Sequence, residues 1–156
     1  LQQDANNRLG LAVTQIMRTA QQLYENGFIS YMRTDSDHLS EDAKEATKTE
    51  IVENYGGIAN FQNVATTRSS RKKTTKKPEA QAAHEAIRPA IQPDGSFAKP
   101  EALPDSLDRA AKELYELIYQ RTVASHMPPQ VSKLTTVRIQ GVSETGDTTV
   151  IFRTTG

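Results

Sequence analysis

Two adjacent prolines, Pro128-Pro129, divide the chain into stretches that cannot share one kind of secondary structure. Neither proline has a backbone N–H and each fixes φ, so no regular helix runs through the pair. Ahead of it apolar residues recur every three or four positions; behind it they recur every second position. The upstream spacing predicts a multi-helix domain and the downstream spacing predicts strands. Val131, Lys133, Thr135, Val137 and Ile139 take the odd positions of one β-rich run, and Thr149, Ile151 and Arg153 belong to a second. Residues 144–147, with Gly146 among them, are a turn signal, so the tail is predicted as an antiparallel hairpin. Two strands alone are marginal in water. The hairpin is therefore assigned to a neighbouring domain, giving a division into residues 1–127 and 128–156.

Within the first part, residues 1–10 end one helix, with Gly10 as its C-cap. From Ala12 the stripe Val13, Ile16, Met17, Ala20, Leu23 and Tyr24 predicts a second helix that Gly27 ends. Residues 28–32 favour a short strand. Ser40 followed by Glu41 and Asp42 is an N-cap with an acidic first turn, and its helix should stop near Tyr55, before Gly56-Gly57. A short helix is expected over 79–87, terminated by Pro89. Asp105 or Ser106 is expected to cap the last helix, with the stripe Leu107, Ala110, Ala111, Leu114, Leu117 and Ile118 reaching about Met127. The fold class is thus mainly α, a multi-helix domain with a short strand near Tyr31 and a C-terminal β-hairpin. The chain opens inside a helix and stops just after a strand-like run, so it is expected to be part of a longer protein.

Nineteen basic and nineteen acidic side chains cancel. That excludes a globally basic nucleic-acid binder but not a locally basic one. The local concentration lies at 65–78, where Arg68, Arg71, Lys72, Lys73, Lys76 and Lys77 occur with no acid; a solvated, phosphate-attracting loop is expected. The absence of Cys removes disulfides, thiol nucleophiles and thiolate zinc sites. Five Tyr, four Phe and no Trp argue against a broad base-stacking platform. No apolar run approaches the roughly 18 residues of a membrane span, so no membrane partner is expected.

The densest chemistry is at residues 30–36, Ser-Tyr-Met-Arg-Thr-Asp-Ser. In an extended chain Tyr31, Arg33 and Asp35 share a face, because side chains alternate with period two. A phenol can attack phosphorus, a guanidinium can hold two phosphate oxygens in its planar fork, and a carboxylate can orient that fork. A phenol titrates at about 10, well below an aliphatic alcohol, so its phosphate ester is readily reversed. The same residues are also compatible with plain amphipathic packing. The second cluster is residues 83–89, Ala-His-Glu-Ala-Ile-Arg-Pro. On a helix His84 and Arg88 would share a face suited to a phosphodiester. Its spacing approaches the zinc helix motif, but Arg88 stands where a second His is needed, so no metal is assigned. His38 and His126 are taken as surface or satisfied structural residues.

Residues 27–36 and 83–89 together strongly resemble the active-site tyrosine region of bacterial type IA DNA topoisomerases, in the right order. Leu1-Gln2-Gln3 and residues 22–25 fit the same pattern. Ser30 stands where that family often has Thr, which keeps the hydroxyl. The resemblance implies that Tyr31 attacks single-stranded DNA to form a 5′-phosphotyrosyl bond, breaking and resealing one strand to relax negatively supercoiled DNA. It implies that Arg33 contacts DNA near the scissile phosphate, that His84 lies close by, and that Glu25 and Arg88 support the site. It further implies Mg²⁺ held by an acidic domain absent from this chain, a helical lid joined to an arch domain, and a cytoplasmic, nucleoid-associated enzyme. This chain alone is expected to be inactive and to bind no metal. The alternative is a non-catalytic helical module that binds single-stranded DNA or another partner through the same residues.

Overall fold

The computed structural model describes residues 1–62, 85–142, 147 and 149–156. The predicted basic loop at 65–78, the first part of the helix expected over 79–87, His84 and most of the hairpin turn lie outside the described residues. Helix α1 spans Gln2–Leu9, α2 Val13–Glu25, α3 Glu41–Asn54 and α4 Arg109–Ala124. Single 3₁₀ turns occupy Ile58–Asn60 and Pro100–Ala102, and the strands are β1, Thr136–Val142, and β2, Thr149–Thr155.

The helix ends follow from local chemistry. Gly10 adopts the left-handed conformation, φ 67°, and its N–H closes on the Asn6 carbonyl. At the end of α2 the left-handed residue is Gly27, φ 75°, one position beyond the C-cap Asn26. Ser40 caps α3 by accepting from the Ala43 N–H at 3.3 Å, as its sequence pattern predicts. The cap of α4 differs from expectation. Asp108 accepts from the Ala111 N–H at 2.8 Å, so the helix starts at Arg109 rather than after Asp105 or Ser106. Leu107 is buried ahead of the helix and its N–H bonds to the Pro104 carbonyl in a turn. Burying Leu107 in that turn delays the start of the helix by two or three residues. Asp105 instead pairs with Lys112 at the exposed surface.

α4 is the hub. It packs on α1, α2, α3 and the Pro100–Ala102 turn, and α2 covers it most extensively. Its buried residues are Ala111, Leu114, Tyr115, Leu117, Ile118, Tyr119, Thr122 and Val123, a band wider than the sequence stripe. Against them lie Ile16, Ala20 and Leu23 of α2, Ile51 of α3, and Ile29, Met32 and Phe97 from connecting segments. Among the described residues one carboxylate enters this core: Glu50, 5% exposed, accepts from Lys99, which also donates to the Tyr119 hydroxyl at 3.3 Å. Burial, and then the Glu50 carboxylate, push the Tyr119 phenol up, so it stays protonated.

The strand expected at 28–32 is reduced to one antiparallel bridge, Ile29 with Pro89. The hairpin forms as predicted, with the register Val137↔Thr154, Ile139↔Phe152 and Gly141↔Val150 on one face. It starts at Thr136, later than the alternation from Val131 implies, and every described residue of both strands is exposed.

Candidate active site

α2 ends at Glu25, and the left-handed Gly27 turns the chain so that Phe28, Ile29 and Ser30 run back along residues 88–90. Two backbone bonds flank the Ile29–Pro89 bridge: Ser30 N–H to Arg88 C=O at 2.9 Å and Ala90 N–H to Phe28 C=O at 2.8 Å. Pro89 sits between these bonds, where no N–H is required of it. The ladder stops there for a specific reason. A continued ladder would take the Arg88 N–H to the Ser30 carbonyl, but it goes instead to Ser30 Oγ at 3.0 Å. The same hydroxyl donates to the Ala86 carbonyl at 2.9 Å. Side-chain capture of a backbone donor competes with the sheet and ends it.

Tyr31 follows directly. It is 38% exposed, and its ring meets Tyr24 of α2 edge to face, with centroids 5.3 Å apart and planes at 68°. Beyond it Met32 is buried in the core while Arg33 and Asp35 are exposed. Exposure therefore alternates from 31 to 35 as an extended chain predicts, with Met32 as the anchor. Arg33, Thr34 and Asp35 line an open concavity of about 660 Å³, with Gln2 of α1, Met17 of α2 and Met32. Among the described residues neither Arg33 nor Asp35 takes part in a salt bridge. Glu25 is exposed at the end of α2 and accepts from Gln21 Nε2 at 2.6 Å.

Arg88 is placed differently. Its Nε donates to Glu85 Oε2 at 2.9 Å, a second guanidinium nitrogen donates to Glu85 Oε1, and the third donates to the Pro89 carbonyl at 2.9 Å. The fork is thus occupied within the chain. Glu85 Oε2 also accepts from the Ser40 N–H at 3.1 Å, at the cap of α3, and the Ala86 N–H bonds to the His38 carbonyl at 2.8 Å. Partial burial pushes the Glu85 carboxyl up, but the bonds from Arg88 and Ser40 outweigh it and hold it below the usual 4.5. Residues 85–88 are not helical, because Ala86 and Arg88 give their N–H groups to other segments and Pro89 favours an extended Arg88. Arg88 accordingly does not stand on a helix face as the sequence spacing implied, and His84 lies outside the described residues.

Glu85, Ser30 and Tyr24 are contributors that residue chemistry alone did not single out. The available signals were the i,i+3 spacing of Glu85 and Arg88 and a hydroxyl beside Tyr31. His38 is exposed beside Asp37. His126 is buried, meets Ser125 Oγ through Nδ1 at 2.9 Å and stacks on Phe61. Both are structural or surface residues, as expected. Among the described residues no three His, Cys, Asp or Glu side chains come together as a metal ion would need. The described residues therefore do not fit a Mg²⁺ site.

Comparison with known proteins decides the class. A family model for DNA topoisomerase matches residues 1–155. The chain belongs to the DNA topoisomerase family. It is similar to DNA topoisomerase 1 of Mycobacterium leprae, 41% identical over 156 residues, covering all of this chain and 15% of that protein. DNA topoisomerase 1 of Synechococcus elongatus is 46% identical over 127 residues, covering 81% of this chain and 13% of that protein. For DNA topoisomerase 1 of Fervidobacterium islandicum the identity is 40% over 141 residues, 85% of this chain and 19% of that protein. The bacterial type IA resemblance of residues 27–36 and 83–89 is thereby borne out. The chain spans less than a fifth of the length of these topoisomerases. No helix among the described residues is long and apolar enough to cross a membrane.

Proposed function

We propose that this chain carries the tyrosine half of a type IA topoisomerase active site, which breaks and reseals one DNA strand. In this reading Tyr31 Oη attacks a backbone phosphorus of single-stranded DNA. The tyrosyl O–P bond forms, the P–O3′ bond breaks, the phenol gives up its proton and the departing 3′ oxygen takes one up. The product is a 5′-phosphotyrosyl bond, and attack by the same 3′ hydroxyl reverses every step. Between the two, passage of a strand relaxes negatively supercoiled DNA.

The observation that carries the reading is the placement of Tyr31. It stands exposed between a core anchor, Met32, and a hydrogen-bonded segment ending at Ser30, and the residues that follow it in the chain, Met32 to Asp35, line an open concavity. Arg33 has its fork available for two phosphate oxygens, where charge accumulates during transfer. Asp35 can orient Arg33, and Glu25 and Arg88 support the site from the end of α2 and from the 85–90 segment. His84, next in sequence to Glu85, joins them by the family resemblance. The Mg²⁺ chemistry that the resemblance implies would be supplied by acidic residues elsewhere in a longer polypeptide. This chain alone should neither cleave nor relax DNA.

The test is Tyr31→Phe in the full-length protein, read as covalent DNA–protein adduct on a denaturing gel. Adduct should vanish, while circular dichroism and single-stranded DNA affinity stay near wild type, because only one oxygen is removed. An adduct that persists in the Phe variant would overturn the assignment. A wild-type protein that binds single-stranded DNA without ever forming adduct would favour the binding-module reading instead.

A further inference from the structure

The segment 85–90 touches the chain on both sides of the Tyr31–Arg33–Asp35 stretch. In front it holds Ser30: Ser30 N–H bonds to Arg88 C=O, and Ser30 Oγ bridges the Arg88 N–H and the Ala86 carbonyl. Behind it holds residues 38–40: Ala86 N–H bonds to His38 C=O, and Glu85 Oε2 takes the Ser40 N–H. Glu85 and Arg88, closed on each other by two parallel bonds, join the front attachment to the rear one.

We propose that Glu85, Arg88 and Ser30 form a clasp whose task is to position Tyr31 and Arg33, so that all three are positioning residues of the strand-cleavage reaction. The inference rests on the reading of Tyr31 as the nucleophile. Residues 31–37 contain no helix or strand that could fix their path. Between Ser30 and Ser40 the stretch is also held by the buried Met32 and by the Tyr24–Tyr31 ring contact. Those contacts hold its middle. The two clasp attachments, one at each end, fix the path by which the chain enters and leaves it.

The chemistry of the clasp suits this task. Arg88 and Glu85 are only partly exposed, with side chains at 12% and 31%, so solvent screens their paired bonds less than those of a surface pair. The planar fork constrains angle as well as distance, which a lysine would not do. The Ser30 hydroxyl is used as donor and acceptor together, so its loss strands both a backbone N–H and a carbonyl. A misplacement of about 1 Å in a reacting group can cost on the order of 100-fold in rate.

The experiment uses the full-length enzyme and compares Ser30→Ala, Ser30→Thr and Glu85→Gln with wild type and Tyr31→Phe. Three quantities are measured: single-turnover cleavage rate at saturating single-stranded DNA, DNA affinity by anisotropy, and melting temperature. Ser30→Ala and Glu85→Gln should each cut the cleavage rate by about 10-fold or more, with DNA affinity within about twofold of wild type. Ser30→Thr, which restores the hydroxyl, should return the rate to near wild type. Wild-type cleavage rates in both Ser30→Ala and Glu85→Gln would overturn the clasp, as would a Ser30→Thr enzyme as slow as Ser30→Ala. If Ser30→Ala fails to fold, Glu85→Gln alone decides between these outcomes. Loss of adduct in Tyr31→Phe together with wild-type rates in the clasp variants would reject the clasp and leave the nucleophile standing. Adduct in Tyr31→Phe would reject the nucleophile itself.

Discussion

Arg33 and Arg88 carry the same guanidinium and lie in the two motifs that define the chemistry, yet the structure treats them as opposites. Arg88 spends its fork on Glu85 and the Pro89 carbonyl, whereas Arg33 stands exposed and outside any salt bridge among the described residues. Sequence spacing could not separate them. The distinction depends on which acid is within reach in space, and on Pro89 holding residue 88 off the helix that the spacing suggested. The exposure of Tyr31 was legible because alternation in an extended segment needs no knowledge of the rest of the fold. His126 was legible for a different reason, since a lone histidine after a buried helix is ordinarily a packing residue. Its burial, with Lys44 adding a smaller effect, holds its pKa below 6.5, although a backbone hydrogen bond to Thr122 acts the other way. The folded state therefore favours the neutral ring. Below pH 6.5 the unfolded chain takes up a proton that the folded chain resists, so stability should fall with pH down to the lowered folded value and then level off. Urea midpoints measured between pH 7.5 and 5 should show this slope, and His126→Gln should flatten it. An unchanged slope in the variant would assign the pH dependence to other groups.

At the scale of elements, the helices that the sequence defined best were those with a side-chain cap or a glycine stop. α1, α2 and α3 end where Gly10, Gly27 and Gly56 predict, and Ser40 opens α3. The start of α4 was misplaced because Asp105, Ser106 and Asp108 are all competent caps, and the choice among them is made by burial of Leu107, a tertiary effect. The strand at 28–32 was overestimated because β propensity ignores the Ser30 hydroxyl, which captures the donor that the next rung needs. The cap assignment can be checked directly. Asp108→Ala removes the acceptor for the Ala111 N–H and should cost about 1 kcal/mol of stability. Ser106→Ala should cost almost nothing, although the sequence pattern offered Ser106, and not Asp108, as a cap. Denaturant unfolding of both variants separates them, and equal losses would contradict the observed cap.

For the whole molecule the decisive contrast is between a core that closes and a hairpin that does not. The buried residues run from Ala5 to His126, and α4 binds α1, α2 and α3 into one unit. Among the described elements β1 and β2 pack only on each other. Val137, Ile139, Val150 and Phe152 line one hairpin face by register, and all four are exposed, Phe152 at 62%. An apolar face of that kind calls for a partner, and the type IA reading supplies one in the remainder of an arch domain. We propose the division after residue 127 on this basis, since among the described elements neither strand packs on a helix. Ending the chain after Gln130, with Pro128-Pro129 retained, should therefore leave the melting temperature of the helical unit within about 2 °C. In a domain of this size a loss of about 1 kcal/mol would already lower it by roughly 4 °C, so the measurement resolves the question. A fall of that size or more would mean that the strands and helices unfold as one cooperative unit. The boundary would then have to be moved to the far side of the hairpin.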